Sequence, residues 1–213
     1  AFPYDAYTRI SAQDADALFA HLRSLAPVVQ ANRPHALRFP YGTQAALAVW
    51  RTLYFRPGHF EPVAGQSAAW NRGAYLVQGL GHCAACHAER NALGAVREPE
   101  ALRGGLIPMQ YWFAPALGGD TRPVEQQVRL LQSGRSADAA TLGPMAEVVL
   151  HSSQHLTAAD LEAMAVHLRS LPPPSRPAPT DAALVVPLRD QGERLYATHC
   201  ASCHGDDGRG AGA

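Results

Sequence analysis

The chain contains no lysine, and all 18 of its basic residues are arginine. They balance 18 acidic residues, so the formal net charge is zero, and no run of basic residues occurs. Nucleic-acid-binding domains carry a basic patch or stripe. The charge pattern therefore gives no support to a nucleic-acid-binding function.

Long apolar runs are also missing. No stretch approaches the roughly 18 consecutive apolar residues that mark a membrane-spanning helix, and no signal peptide opens the chain. The sequence begins with Ala1 rather than Met. We expect it to be mature or partial material that is not itself a membrane-spanning segment.

Cysteine is scarce, and its placement is informative. The four cysteines all lie in two copies of one pentapeptide, C-A-A-C-H at 83–87 and C-A-S-C-H at 200–204. C-x-x-C-H is the attachment signature of c-type haem, in which both thiols bond to the porphyrin and the histidine is the proximal iron ligand. The residues predicted to bind haem c at the two sites are Cys83, Cys86, His87, Cys200, Cys203 and His204, with His87 and His204 as iron ligands.

A C-x-x-C pair can also be a redox dithiol or half of a zinc site. A zinc site that paired the two motifs would leave the histidine after each of them unexplained. A thioredoxin-like site would need one motif, not two. Because no cysteine lies outside the motifs, no thiol remains for a disulfide.

An internal repeat predicts helices at two places. Residues 11–25 and 157–171 align without gaps. In each, a hydroxyl side chain (Ser11 or Thr157) can cap the N-terminus, an acidic residue follows in the first turn, and a proline soon ends the helix. The apolar stripe of the two copies consists of Leu18, Leu22 and Leu25 and of Leu161, Met164 and Leu168.

These repeats predict the domain boundaries of an all-α chain. A glycine precedes each haem motif (Gly73, Gly192) and would let an entering helix cross closely over a closing helix. Residues 66–175 are then one complete haem domain. The predicted flanking parts are the closing-helix remnant of a first domain at 1–30, a linker with one helix (43–55) at 31–65, a Pro-rich linker at 176–187 and the opening part of a third domain at 188–213.

The iron of the complete domain needs a sixth ligand, and three methionines are available. Met164 lies on the apolar stripe of the closing helix, where packing in the core is its simpler role. Met145 lies in what we predict to be a loop, next to glycine and proline that fix its backbone, and is the favoured distal ligand. Met109, His151 and His155 remain as alternatives.

Longer segments are more specific than C-x-x-C-H itself. W-N-R-G-A-Y-L-V-Q-G-L-G-H-C-A-A-C-H at 70–87, W-F-A-P at 112–115 and G-P-M-A-E-V-V at 143–149 resemble the middle domain of the three-haem cytochrome c subunits of bacterial membrane-bound dehydrogenases. The resemblance runs over nearly the whole chain. It implies tandem small cytochrome c domains of the class I type, and a third haem in the full-length protein.

The resemblance also implies roles for individual residues. Cys83 and Cys86 would form thioethers, His87 and Met145 would be the axial ligands, and Trp112 would lie near a haem propionate. Pro115 resembles the proline whose carbonyl accepts the Nδ1 proton of the proximal histidine in small cytochromes c. Arg90 and Asn91 could balance propionate charge.

Two departures from the family pattern stand out. Relatives commonly carry Met directly before Pro-Tyr in the first domain, whereas this chain has Phe2, which leaves the distal ligand of the first haem open. The loop after Gly119 is also shorter than usual and leads directly into a predicted helix at 124–132.

A His- and Met-ligated iron has no open position for substrate, which points to one-electron transfer rather than catalysis. The resemblance implies a periplasmic subunit, peripheral to the cytoplasmic membrane, that relays electrons from a catalytic dehydrogenase subunit to quinone or a terminal oxidase. Membrane association would come through the complex or a C-terminal segment. The alternatives are a di-haem cytochrome c peroxidase, which needs an exchangeable sixth site, and a freestanding di-haem electron carrier.

Overall fold

The computed structural model describes residues 3–34, 36–174, 182–208 and 210. The elements in these residues are helices apart from one small antiparallel sheet of two strands, so the predicted all-α class is confirmed. One compact unit ends at Pro174, and the residues after it form a second unit. None of the helices in the described parts of the chain combines the length and apolar character of a bilayer-spanning segment.

In its described residues, the first unit contains eight α-helices, a π-helical turn, a 3-10 turn and the two strands. In chain order they are α1 (Tyr4–Tyr7), α2 (Ala12–Ser24), α3 (Gln44–Tyr54), α4 (Ala68–Tyr75), the π turn (Leu76–Leu80), α5 (Ala84–His87), β1 (Gly105–Ile107), β2 (Trp112–Ala114), α6 (Val124–Ser133), α7 (Pro144–His151), the 3-10 turn (Ser153–His155) and α8 (Ala158–Ser170). The second unit contains α9 (Ala182–His199) and α10 (Ala201–His204).

The helix starts predicted from the repeat are confirmed. Ser11 Oγ accepts a hydrogen bond from the backbone N–H of Asp14 at 3.1 Å, and α2 begins directly after Ser11. Thr157 Oγ1 accepts from the N–H of Asp160 at the same distance, at the start of α8. Such caps satisfy N–H groups that the first helical turn leaves without partners.

The core of the first unit lies where α4 crosses α8, and Gly73 makes this crossing possible. A Cβ on Gly73 would lie 1.9 Å from the carbonyl oxygen of Ala163. Met164 is 5% exposed and belongs to this core, as its place on the stripe predicted. The buried core cluster consists of Tyr75, Leu76, Val77, Leu102, Met164 and Leu168.

The two copies of the repeat fold alike but have different surroundings. In α8 the apolar stripe is buried, with Leu161 at 0% exposure. In α2 the equivalent stripe is exposed, with Leu18 at 46%, Leu22 at 63% and Leu25 at 53%. Helical periodicity therefore predicted the apolar face correctly, while the partner of that face depends on tertiary contacts.

The predicted domain boundaries stay a prediction, and the structure adds two findings about the flanking segments. The segments predicted at 1–30 and 31–65 belong to the same compact unit as the predicted complete domain. Helix α9 begins at Ala182 and continues across Pro187. It therefore covers the last part of the linker predicted at 176–187. Phe2, His35 and residues 175–181 of the linker region lie outside the described residues.

His167 is a buried basic group at the crossing of α4 and α8. It is 2% exposed, and neither ring nitrogen has a hydrogen-bond partner among the described residues. Its ring contacts that of Trp70 edge-on, with centroids 4.7 Å apart. Burial lowers the pKa of His167 from 6.5 to about 4. Between these two values the unfolded chain binds a proton that the folded chain does not, so stability falls as the pH falls.

We expect His167→Phe to reduce the acid sensitivity of the fold. The phenyl ring keeps the contact with Trp70 and has no nitrogen to protonate. Between pH 7 and pH 5 the parent should lose about 1 to 2 kcal/mol more stability than the variant, from about 1.36 kcal/mol per pKa unit. Denaturant unfolding at the two pH values measures the difference. His21→Phe, at the equivalent exposed position of α2, is the control, and equal pH dependence of parent and His167→Phe would contradict the prediction.

Candidate haem-binding site

His87 is the centre of the site. It ends the short helix α5, is 8% exposed, and its Nδ1 lies 2.7 Å from the carbonyl oxygen of Pro115. Because a carbonyl oxygen only accepts, Nδ1 carries the proton and donates, which leaves the lone pair on Nε2. Burial lowers the pKa of His87, and the hydrogen bond to Pro115 opposes this shift. The neutral ring with a free Nε2 is the form that ligates a metal.

The small sheet holds Pro115 in this position. The N–H of Gly104 donates to the carbonyl oxygen of His87 at 2.9 Å. A Cβ on Gly105 would lie 2.4 Å from the carbonyl oxygen of Ala88, so β1 passes closely along the end of α5. Gly105 pairs with Ala114 of β2, and Pro115 follows directly. The close approach of Gly104 and Gly105 to the end of α5 thus fixes the carbonyl oxygen of Pro115, which accepts the hydrogen bond from His87.

The π turn brings the two cysteines beside His87. It continues α4 and closes with a 2.7 Å hydrogen bond from the N–H of Gly81 to the carbonyl oxygen of Leu76. Burial raises the pKa of the Cys83 thiol to about 12. Burial also raises the pKa of Cys86, partly offset by the nearby Arg90 charge. Both side chains are therefore protonated thiols at neutral pH.

Arg90 lies beside the motif and is held by backbone groups. Its guanidinium donates to the carbonyl oxygens of Ala85 at 2.7 Å and Gly94 at 2.8 Å, while its buried Nε–H has no partner among the described residues. Asn91 Oδ1 accepts from two backbone N–H groups and shapes the same loop. A contact of Arg90 with a propionate stays a prediction.

Met145 lies at the second position of α7, not in a loop as the sequence predicted. The helix starts earlier because Pro144 occupies its first position, where a missing N–H costs nothing. Gly143 before it has φ 53°, and a Cβ there would lie 2.6 Å from the indole of Trp112. Met145 itself is half-buried.

Trp112 connects the part of the site around His87 and Pro115 with the part around Met145. It lies three residues before Pro115, which binds His87, and its indole contacts the backbone two residues before Met145. It is 45% exposed, and large apolar side chains on the adjoining segments, such as Leu106 and Leu142, are exposed as well. This surface has the apolar character that a porphyrin ring contacts.

The other candidate distal ligands lie elsewhere. Met109 is 93% exposed at the hairpin turn, with φ 63°. His151 and His155 are exposed, and His151 Nε2 lies 3.8 Å from a carboxylate oxygen of Glu147 on the same helix. The assignment of Met145 stays a prediction, with these alternatives in less enclosed positions.

The second motif is less enclosed in its own unit. Cys200 is half-buried, and Cys203 and His204 are exposed. The Tyr196 hydroxyl donates to the carbonyl oxygen of Gly205 at 2.6 Å and ties α9 to the end of α10. The motif has the helical form of the first one but no buried histidine.

One contact at the site gave no signal in the sequence. His82, directly before Cys83, has φ 37°, and its ring lies edge-on to that of Tyr7 with centroids 5.7 Å apart. A contact between residues so far apart in the chain has no periodicity that would reveal it. The N-terminal segment thus adjoins the haem motif.

The donor set fits haem c. Two protonated thiols precede a buried histidine in the motif, and the remaining nitrogen of this histidine is available to ligate iron. Among the described residues, no three His, Cys, Asp or Glu side chains are grouped as a metal-ion site. The chain is a c-type cytochrome that binds haem c covalently, and residues 190–213 match the cytochrome c family model.

The proteins that this chain resembles form a narrower group than the c-type cytochromes as a whole. The chain is 35% identical over 237 residues to the gluconate 2-dehydrogenase cytochrome c subunit of Pantoea cypripedii, covering 98% of this chain and 52% of that protein. It is 35% identical over 233 residues to the alcohol dehydrogenase (quinone) cytochrome c subunit of Gluconacetobacter polyoxogenes, covering 99% and 50%. The fructose dehydrogenase cytochrome subunit of Gluconobacter japonicus is 33% identical over 242 residues, covering 99% and 49%.

The chain is therefore a homologue of the cytochrome c subunits of dehydrogenases. It spans about half the length of the gluconate, alcohol and fructose dehydrogenase subunits that it matches. The resemblance stated from the sequence segments is confirmed by these matches.

Proposed function

We propose that this chain relays electrons from a catalytic dehydrogenase subunit to quinone or a terminal oxidase, as a periplasmic protein peripheral to the cytoplasmic membrane. Its relatives are named as cytochrome subunits of gluconate, alcohol and fructose dehydrogenases, the alcohol enzyme with quinone in its name. We propose two haems c in this chain, attached through Cys83 and Cys86 and through Cys200 and Cys203.

The observation that carries the proposal is the 2.7 Å hydrogen bond from His87 Nδ1 to the carbonyl oxygen of Pro115. It fixes the ring orientation and leaves Nε2 as the ligand atom, and the acceptor makes the ring a stronger donor to iron. Haem c bound there would supply one-electron redox chemistry. If the Met145 thioether also bound the iron, the protein would offer substrate no coordination position.

The residues around His87 have roles that suit a relay. The burial of His87 would keep water from this iron ligand, which favours a fixed coordination during each electron transfer. Arg90 adds positive charge beside Cys86. The domain arrangement, with one complete unit between parts of two others, is part of the same proposal.

Rapid mixing tests the function. Protein matured with haem, with its haem content first measured as the pyridine haemochrome, should be reduced by a reduced partner dehydrogenase. Mixing with alcohols, aldehydes or sugars alone should give no reduction, because a relay has no site for them.

Hydrogen peroxide is the discriminating substrate. Turnover of peroxide with an electron donor at an enzyme-like rate would replace the relay with the peroxidase alternative. Reduction by many unrelated donors with equal rates, and no preference for a dehydrogenase, would instead favour a freestanding carrier.

A further inference from the structure

The hydroxyl of Tyr75 holds the start of α2. It accepts a hydrogen bond from the backbone N–H of Ser11 at 3.1 Å and donates one to the Asp14 carboxylate at 2.5 Å. Ser11 is the N-cap of α2, and Asp14 lies in its first turn. A single side chain of α4 therefore binds both groups that define where α2 begins.

The internal repeat shows that this use of Asp14 is particular to α2. Asp160 is the aligned residue of α8, and it pairs with Arg72 of α4 at 2.7 and 3.1 Å. The Arg72 guanidinium also lies 5.6 Å from the centre of the Tyr75 ring. Helix α4 thus binds the first turns of both repeat helices, one through Arg72 and the other through Tyr75.

The residues before α2 are bound to the same part of the structure. Arg9 donates to Gln78 at 3.0 Å in the π turn and pairs with Glu100 at 2.7 Å. A Cβ on Gly79 would lie 3.8 Å from the Cβ of Arg9, so the chain passes in van der Waals contact with the π turn. The π turn leads directly to Cys83.

We propose that Tyr75 is a positioning residue that fixes α2, the helix at the end of a preceding haem unit, on the unit that carries Cys83 and His87. The inference rests on the proposed function, because a relay needs neighbouring haems at a constant separation. Helix α2 has an exposed apolar stripe and no buried residue, so its N-terminal hydrogen bonds contribute a large part of its attachment.

Tyr75→Phe is the test, because it removes the hydroxyl and keeps the ring that packs against Phe60. We expect the amides of the first turn of α2 to exchange hydrogen at least tenfold faster, while the amides of α4 and α8 and the haem absorption spectrum stay as in the parent. Asp14→Asn keeps a neutral acceptor and should give a smaller increase. Asp160→Asn is the matched control, and it should speed exchange at the start of α8 instead of α2.

A second measurement separates positioning from simple attachment. In the haem-loaded protein that includes the preceding haem unit, electron transfer between neighbouring haems should slow at least threefold in Tyr75→Phe, with both midpoint potentials unchanged. An α2 exchange rate within twofold of the parent would overturn the proposal. So would loss of protection in α4 and α8, or an unchanged electron-transfer rate despite faster exchange. Hydrogen exchange is measured without any dehydrogenase. Its outcome therefore tests the role of Tyr75 independently of whether the chain is a relay.

Discussion

Met145→Ala should lower the reduction potential of the haem at Cys83–Cys86 and let its reduced form bind carbon monoxide. A thioether ligand stabilises ferrous iron and so raises the potential. Its removal should lower the potential by more than about 59 mV, a tenfold change in the one-electron equilibrium. Redox titration and the visible spectrum under carbon monoxide measure the two effects.

The geometry around Met145 explains why its loss should be specific. Gly143 lies against the Trp112 indole, and Trp112 is linked through Pro115 to the ring of His87. The first turn of α7 is therefore held near the histidine by contacts that do not involve the Met145 side chain. Removing the thioether should open a coordination position without releasing the helix.

Met109→Ala is the matched control, because Met109 is nearly fully exposed at the hairpin turn. It should leave the potential and the spectrum unchanged. If instead Met145→Ala resembled the parent and Met109→Ala opened the iron to carbon monoxide, the distal ligand would be Met109. Unchanged spectra in both variants would point to a histidine.

Local signals in the sequence predict the helices well. The caps at Ser11 and Thr157 lie where their hydroxyl side chains indicate, and the helix predicted at 124–132 is found at Val124–Ser133. The loop predicted at Met145 is wrong because proline, although it breaks helix interiors, fits the first turn of a helix. The continuation of α9 across Pro187 could not be predicted, because proline inside a helix is costly and usually ends it.

Tertiary contacts explain what the sequence could not reveal. Leu22 and Leu168 occupy equivalent positions of one repeat, yet one is 63% exposed and the other 9%. The local sequence of each segment does not predict which helix will pack against it. The same holds for Asp14 and Asp160, which pair with Tyr75 and Arg72 respectively. The candidate iron ligands could be predicted because C-x-x-C-H is a local motif.

Gly73→Ala should disrupt the crossing of α4 and α8. The added Cβ would lie 1.9 Å from the carbonyl oxygen of Ala163 and 2.5 Å from its carbonyl carbon. Backbone atoms cannot rotate away as a side chain can, so the helices must separate. Overpacking of a core typically costs about 1 to 3 kcal/mol, and this contact belongs at or above the upper end.

The separation of α4 and α8 should also displace the haem motif at 83–87. Trp70 Nε1 donates to Ser170 at 2.6 Å and Arg72 pairs with Asp160, and both contacts join α4 to α8. Helix α4 continues through the π turn to Cys83, so its displacement would move the attachment site. We expect a lower yield of haem-loaded protein and a lower denaturant midpoint, measured by haem absorbance and by circular dichroism.

Gly192→Ala is the matched control in another helix. A Cβ at Gly192 would meet no described atom within 4 Å, and alanine in place of a helical glycine stabilises by about 0.5 to 1 kcal/mol. The two substitutions should therefore change stability in opposite directions although their chemistry is the same. A Gly73→Ala protein within about 1 kcal/mol of the parent, with full haem content, would mean that α4 and α8 do not cross as closely as the Ala163 contact requires.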